Sequence, residues 1–106
     1  MIALFNKRTV IGGSRELMWA KISDCNGSSL TDVDVSMAII PEDQRPSSVD
    51  WKQPNNVTHS GRVIRAGLLF EAPVPAQGTH QTYTVYARAV ESPEEIWVIC
   101  GQFVVI

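Results

Sequence analysis

Histidine, cysteine and positive charge are all in short supply in this chain, and each shortage narrows what it can do. There are two histidines, His59 and His80. Imidazole is the commonest metal ligand and the usual acid–base group near neutral pH, so a metal centre or proton-transfer site has little to build on. The two cysteines, Cys25 and Cys100, lie far apart and match no C-x-x-C metal or redox spacing. Two buried free thiols are the simpler reading, because free cysteine packs as a small apolar side chain. A disulfide from an early loop to the last strand is the alternative. Nine basic residues against eleven acidic ones give a formal net charge of -2. Phosphate recognition needs a basic surplus, so neither nucleic acid nor an anionic membrane is expected as a partner. No run approaches the ~18 apolar residues of a membrane-spanning helix. The first eight residues, Met-Ile-Ala-Leu-Phe-Asn-Lys-Arg, put a short apolar patch before the charges, the reverse of a secretory leader. The reading is a soluble protein made in the cytoplasm.

What the chain does contain is strand pattern. A length of 106 residues with 44% hydrophobic and 19% charged residues suits one folded domain, 1–106, with a modest core. The densest signal is in 79–106, where two runs rich in β-branched and aromatic residues flank Glu-Ser-Pro-Glu-Glu, predicting a long antiparallel hairpin. In its first strand Tyr83, Val85, Ala87 and Ala89 share one face, and Thr82, Thr84, Tyr86, Arg88 and Val90 the other. Upstream, 1–13 reads as an N-terminal arm in which 1–5 form either a short edge strand or the arm itself, and Thr9-Val10-Ile11 a weak strand ended by Gly12-Gly13. Residues 15–23 read as a strand with Leu17 and Trp19 on one side and Met18, Ala20 and Ile22 on the other, a helix being the alternative because Glu, Leu, Met and Ala favour it. Asn26-Gly27 signals a turn. Residues 32–40 alternate between Val33, Val35, Met37 and Ile39 on a core face and Asp34, Ser36 and Ala38 on a wet face. Residues 41–61 hold three prolines and read as a long loop, with an edge strand conceivable only around Trp51. Another strand follows over 62–70. Six to seven antiparallel strands and no convincing helix predict an all-β fold, a small immunoglobulin-like β-sandwich.

Chemistry-bearing clusters are thin. Asp24, Asn26, Asp32 and Asp34 gather oxygen ligands but lack the spacing and late bidentate acid of a calcium loop. Ser60, His80 and Asp50 can be drawn as a hydrolase triad, yet no G-x-S-x-G elbow accompanies them. Gly12-Gly13-Ser14-Arg15 lacks the lysine and helix of a phosphate loop. No catalytic, metal-binding or cofactor-binding residue is therefore expected. Trp19 and Trp97 lie within strands and read as core or sheet-face residues. Trp51 sits in the Pro-rich loop, where it either plugs the sandwich end or docks on a partner.

Ser14-Arg-Glu-Leu-Met-Trp19, the 35–40 strand, Asp50-Trp51, and above all Gly78…Tyr83-Thr-Val-Tyr-Ala-Arg-Ala-Val-Glu-Ser-Pro-Glu-Glu95…Gly101-Gln-Phe-Val-Val-Ile106 carry a resemblance. Across nearly the whole chain the pattern resembles small immunoglobulin-like virion structural proteins of tailed bacteriophages, especially those infecting actinobacteria. It is also similar to the N-terminal immunoglobulin-like domain of phage baseplate proteins. The resemblance implies a virion part and a sandwich fold; with no catalytic cluster and with apolar stretches at 1–5 and 104–106, the leading reading is a non-enzymatic capsid decoration or minor capsid protein. Its partners would be other virion proteins, chiefly the major capsid protein, or further copies of itself. A head–tail connector, tail or baseplate component is the alternative, and a secreted adhesion-type module the alternative of another class. The expected contact residues are Ile2, Leu4, Phe5, Trp51, Val104 and Ile106, drawn from the apolar ends and the loop tryptophan.

Overall fold

Two-residue alternation builds the first long strand, β3 (Arg15–Ser23). Its Met18, Ala20 and Ile22 are fully buried while Arg15, Leu17, Trp19 and Lys21 face outward. That is the pattern of a strand with one wet face. β3 pairs antiparallel with β6 (Val63–Glu71), which sets Met18 opposite Leu68, Ala20 opposite Ala66 and Ile22 opposite Ile64. β1 (Ile2–Leu4) flanks β3, and β5 (Asn56–Ser60) flanks β6, completing a sheet in the order β1-β3-β6-β5. The second sheet, β2-β8-β7-β4, contains β2 (Thr9–Val10), β4 (Asp34–Pro41), β7 (Gln81–Glu91) and β8 (Glu94–Val105). The computed structural model describes residues 2–4, 9–23, 33–91 and 94–106, and for 2–4, 91 and 94 the backbone alone.

β1 and β2 take the place of a single first strand divided between the sheets, β1 antiparallel to β3 and β2 parallel to β8. Counted that way there are seven strands among the described residues. From β3 onward the chain crosses between the sheets three times, between β3 and β4, between β4 and β5 and between β6 and β7. This is the connectivity of a constant-type immunoglobulin sandwich, so the expected fold class holds.

The core lies between the sheets. Met18, Ile22 and Ile64 come from the first sheet, and Met37, Val85, Phe103 and Val105 from the second, all fully buried. Burial of each such side chain contributes roughly 1.5–3 kcal/mol. One end is closed by three rings. Tyr83 and Phe103 are cross-strand partners stacked at 5.6 Å, and Phe70 crosses from the other sheet to meet both edge-on, at 5.1 and 5.2 Å. Burial pushes the Tyr83 phenol above its ordinary pKa.

The edge strand read within 1–5 and the weak strand after it both form, as β1 and β2. Three other expectations change or fall outside these residues. The 41–61 loop contains β5, whose five residues are all exposed and so carry no apolar period to read. A two-residue turn at Gly61-Arg62, with Gly61 at φ +60°, returns the chain to β6. The wet face of β4 is only partly wet, since Ala38 and Ile40 are buried on it at 0% and 5% exposure. The 42–51 segment folds back over them, with Pro46 buried and Lys52 paired to Met37 through both backbone bonds, at 2.8 and 3.0 Å. The Asn26-Gly27 turn and the Cys25 thiol lie outside the described residues.

Gly12 is held tightly after β2. Its N–H donates to the Ile106 carbonyl at 2.8 Å, and a Cβ there would stand 2.7 Å from Pro75 Cδ and 2.9 Å from the Pro73 carbonyl oxygen. The collision involves backbone as well as a proline ring, neither of which can swing aside. Gly12→Ala is therefore expected to lower stability by about 1–3 kcal/mol in urea unfolding, an overpacking cost. An unchanged midpoint would show that the 73–75 segment yields freely.

Candidate functional site

The outer face of the second sheet is where the molecule presents organised apolar surface. On β7, Val85, Ala87 and Ala89 point inward, which leaves Thr84, Tyr86 and Arg88 on the outer face, where Thr84 is itself covered. On β8, Trp97 pairs with Arg88 and Ile99 with Tyr86, so both stand on the same outer face, 50% and 61% exposed. The strand changes phase at Cys100. Val85 pairs with Gly101 and Tyr86 with Ile99, so Cys100 is the extra residue of a β-bulge. Beyond it Phe103 and Val105 turn into the core.

Trp51 reaches this face from the loop. Ser47 donates to the Asp50 carboxylate from its N–H (2.8 Å) and hydroxyl (3.0 Å), and the Asp50 N–H returns a bond to the Ser47 carbonyl. The backbone bond, then the hydroxyl bond, hold the Asp50 carboxyl below its ordinary pKa. This turn and the Lys52–Met37 pairing fix the chain on both sides of Trp51. Its ring meets Trp97 edge-on at 5.1 Å, and the Arg88 guanidinium lies 4.7 Å from its centroid.

Arg88 ties the cluster together. It donates to Ser36 Oγ at 3.3 Å and pairs with Glu95 at 3.7 Å, while Trp97 Nε1 donates to the same Glu95 oxygen at 2.7 Å. Its Nε is buried without a hydrogen-bond partner, so the guanidinium is held by packing as much as by polar bonds. The result is a pair of aromatic side chains held before any partner arrives. Rigid, part-exposed Trp and Arg are the residues that anchor protein interfaces.

The six expected contact residues are split by the fold. Trp51 and the half-buried Val104 share the outer face of the second sheet, and Ile106 stands 57% exposed at its end. There Gly12 bonds its carbonyl, and Ile11 and Val74 are also exposed. Ile2 and Leu4 belong to the other sheet, paired with Ser23 and Lys21. Phe5 lies outside the described residues. Trp97, Ile99, Arg88 and Glu95 were not expected at the site. Trp97 and Ile99 sit in an unbroken apolar run, 96–100, which hides a two-residue period.

The residues drawn as a triad are not gathered. Ser60 ends β5 opposite Val63 at one end of a body 47 Å long. His80 precedes Gln81, whose partner Val105 marks the other end. Asp50 is engaged with Ser47, and the His59 ring meets the Val33 carbonyl at 3.2 Å. Asp24, Asn26 and Asp32 lie outside the described residues. Among those described, no three His, Cys, Asp or Glu side chains cluster in a way that could hold a metal. Cys100 is a buried free thiol, its pKa pushed by burial to about 12.

Fold and face together define an immunoglobulin-like β-sandwich with a preorganised aromatic surface on its second sheet. No family model matches the chain, and a search of curated proteins finds no match.

Proposed function

We propose that this chain is a non-enzymatic structural protein of a tailed-bacteriophage virion, a decoration or minor capsid protein that binds the assembled head. It contacts the major capsid protein through the outer face of its second sheet. The observation that carries the reading is the Trp51–Trp97–Arg88 cluster with Ile99 beside it, an apolar surface held rigid and half exposed. Exposed aromatic and aliphatic groups fixed by neighbouring contacts lose little freedom on binding, which favours association. The whole-chain resemblance to virion immunoglobulin-like proteins supplies the setting. Many weakly bound copies on a symmetric lattice gain from repetition.

The test uses purified heads that lack tails. The chain is expected in them at a copy number that scales with head surface. Heads free of it would overturn the reading, and a copy number of one ring per particle would move the protein to the head–tail connector. In add-back to stripped heads, Trp97→Ser should bind about 30-fold more weakly than wild type, as expected for a hot-spot truncation of about 2 kcal/mol.

A further inference from the structure

We propose that the free edge of the first sheet, at β5, takes up an extended acidic segment of a partner protein as an added strand. Two independent observations meet there. The first is the edge itself. Elsewhere β1 and β2 pair with only three residues of β3 and two of β8, and β4 is bridged once, at Met37, by Lys52. β5 is five residues of Asn-Val-Thr-His-Ser, with no lysine, proline or bulge of the kind that protects an edge. Among the described residues nothing pairs with its outer side. A two-residue turn makes Ser60 and Val63 a hydrogen-bonded pair, so Thr58 and Asn56 also bond to β6. The N–H and C=O groups of Val57 and His59 therefore point away from the sheet. Val57 lies on the core side, opposite buried Ala66, yet is 41% exposed because the sheet ends there.

The second observation is charge. On the outer face Lys21 and Arg65 are directly opposed across β3 and β6, a like-charged pair that destabilises a sheet. Elsewhere, among the described residues, ion pairs join Arg15 to Glu71 and Arg88 to Glu95. Among the described residues Lys21 and Arg65 meet no acid. With Thr58, Ser60 and Val63 they line a shallow groove of about 340 Å³ that runs to the β5 edge.

The two fit one ligand. A strand added beside β5 presents alternate side chains to the two faces. Those beside Val57 extend the core and call for valine or isoleucine. Those beside Thr58 stand over the groove, within reach of Arg65, and call for glutamate or aspartate. The segment is thus an alternating apolar–acidic stretch of extended chain. This surface belongs to the opposite sheet from the aromatic cluster, so it goes beyond the head-binding reading and stands or falls separately.

The experiment titrates the full chain with a fluorescent peptide alternating valine and glutamate, beside its valine–glutamine counterpart. The acidic peptide is expected to bind about tenfold more tightly, and salt should erase the difference. Lys21→Gln with Arg65→Gln should bring both peptides to the same affinity without lowering Tm. Val57→Pro removes only an outward N–H and should abolish binding of both while the fold is kept, as checked by circular dichroism. Absence of binding by the wild type, equal affinity for the two peptides, or full binding by Val57→Pro overturns the proposal. A single-stranded oligonucleotide that displaces the acidic peptide and is indifferent to Val57→Pro would also overturn it, by assigning the groove to a phosphate backbone.

Discussion

Phe103→Ala should cost about 3–5 kcal/mol, a large share of the 5–15 kcal/mol that holds a domain of this size together. Phe103 is 1% exposed and touches both other rings of the end cluster, one from its own sheet and one from the facing sheet. Removing it deletes buried area and also leaves Phe70 and Tyr83 edging a cavity that neither can fill from its own strand. For a domain near 100 residues each kcal/mol moves Tm by about 4–8 °C, so the variant should melt well over 10 °C below wild type. Phe103→Leu keeps most of the volume and should lose less. A loss under about 1 kcal/mol for alanine would mean that the rings are not packed as described.

The second large effect is alkaline. Between pH 9 and 12 the protein should lose on the order of 4 kcal/mol of stability through Cys100 alone. This is the cost of keeping protonated a thiol whose pKa has moved from 9.0 to about 12. The sign follows from proton binding. Below pH 9 the thiol is protonated in both states and contributes no slope. Above it the unfolded chain releases the proton while the folded chain retains it, so stability falls until about pH 12. Tyr83, also raised by burial, works in the same direction. Urea unfolding across this range should show a shallower decline for Cys100→Ala, with slopes compared rather than absolute values. In a Cys25→Ser background, thiol reagents at pH 8 should label Cys100 only as fast as the chain opens. Rapid labelling of the native protein would contradict the buried assignment.

The parts of the fold legible in the sequence are those where one face is dry and the other wet. β3, β7 and the core half of β4 alternate visibly because Met18, Val85 and Met37 alternate with polar or exposed neighbours. β5 is not legible, since an edge strand exposed on both faces buries nothing to pattern. Ala38 lies on the expected outer face of β4 but is dry, for the opposite reason. Its face is covered by a loop whose path depends on the Lys52–Met37 pairing, a tertiary contact with no local signal. The site was half legible. Trp51 stood out against its Pro-rich surroundings. Trp97 did not, because the residues around it are all apolar and because Cys100 shifts the phase, so counting back from Phe103 puts Trp97 on the wrong face. A bulge of one residue leaves no mark on composition.

The divided first strand has a mechanical consequence. β2 and β8 run in the same direction and are stitched by Ile106 N–H to Val10 O at 2.9 Å and by Gly12 N–H to Ile106 O at 2.8 Å. Once tension along the chain reaches β2, it drags that strand backward while β8 is drawn forward. The load then runs along the strands, and the cross-links must fail together. A hairpin opened from its free ends gives way one bond at a time, whereas this clasp has to slide. The clasp thus resists a pull that shears β2 against β8 more than one that peels them apart.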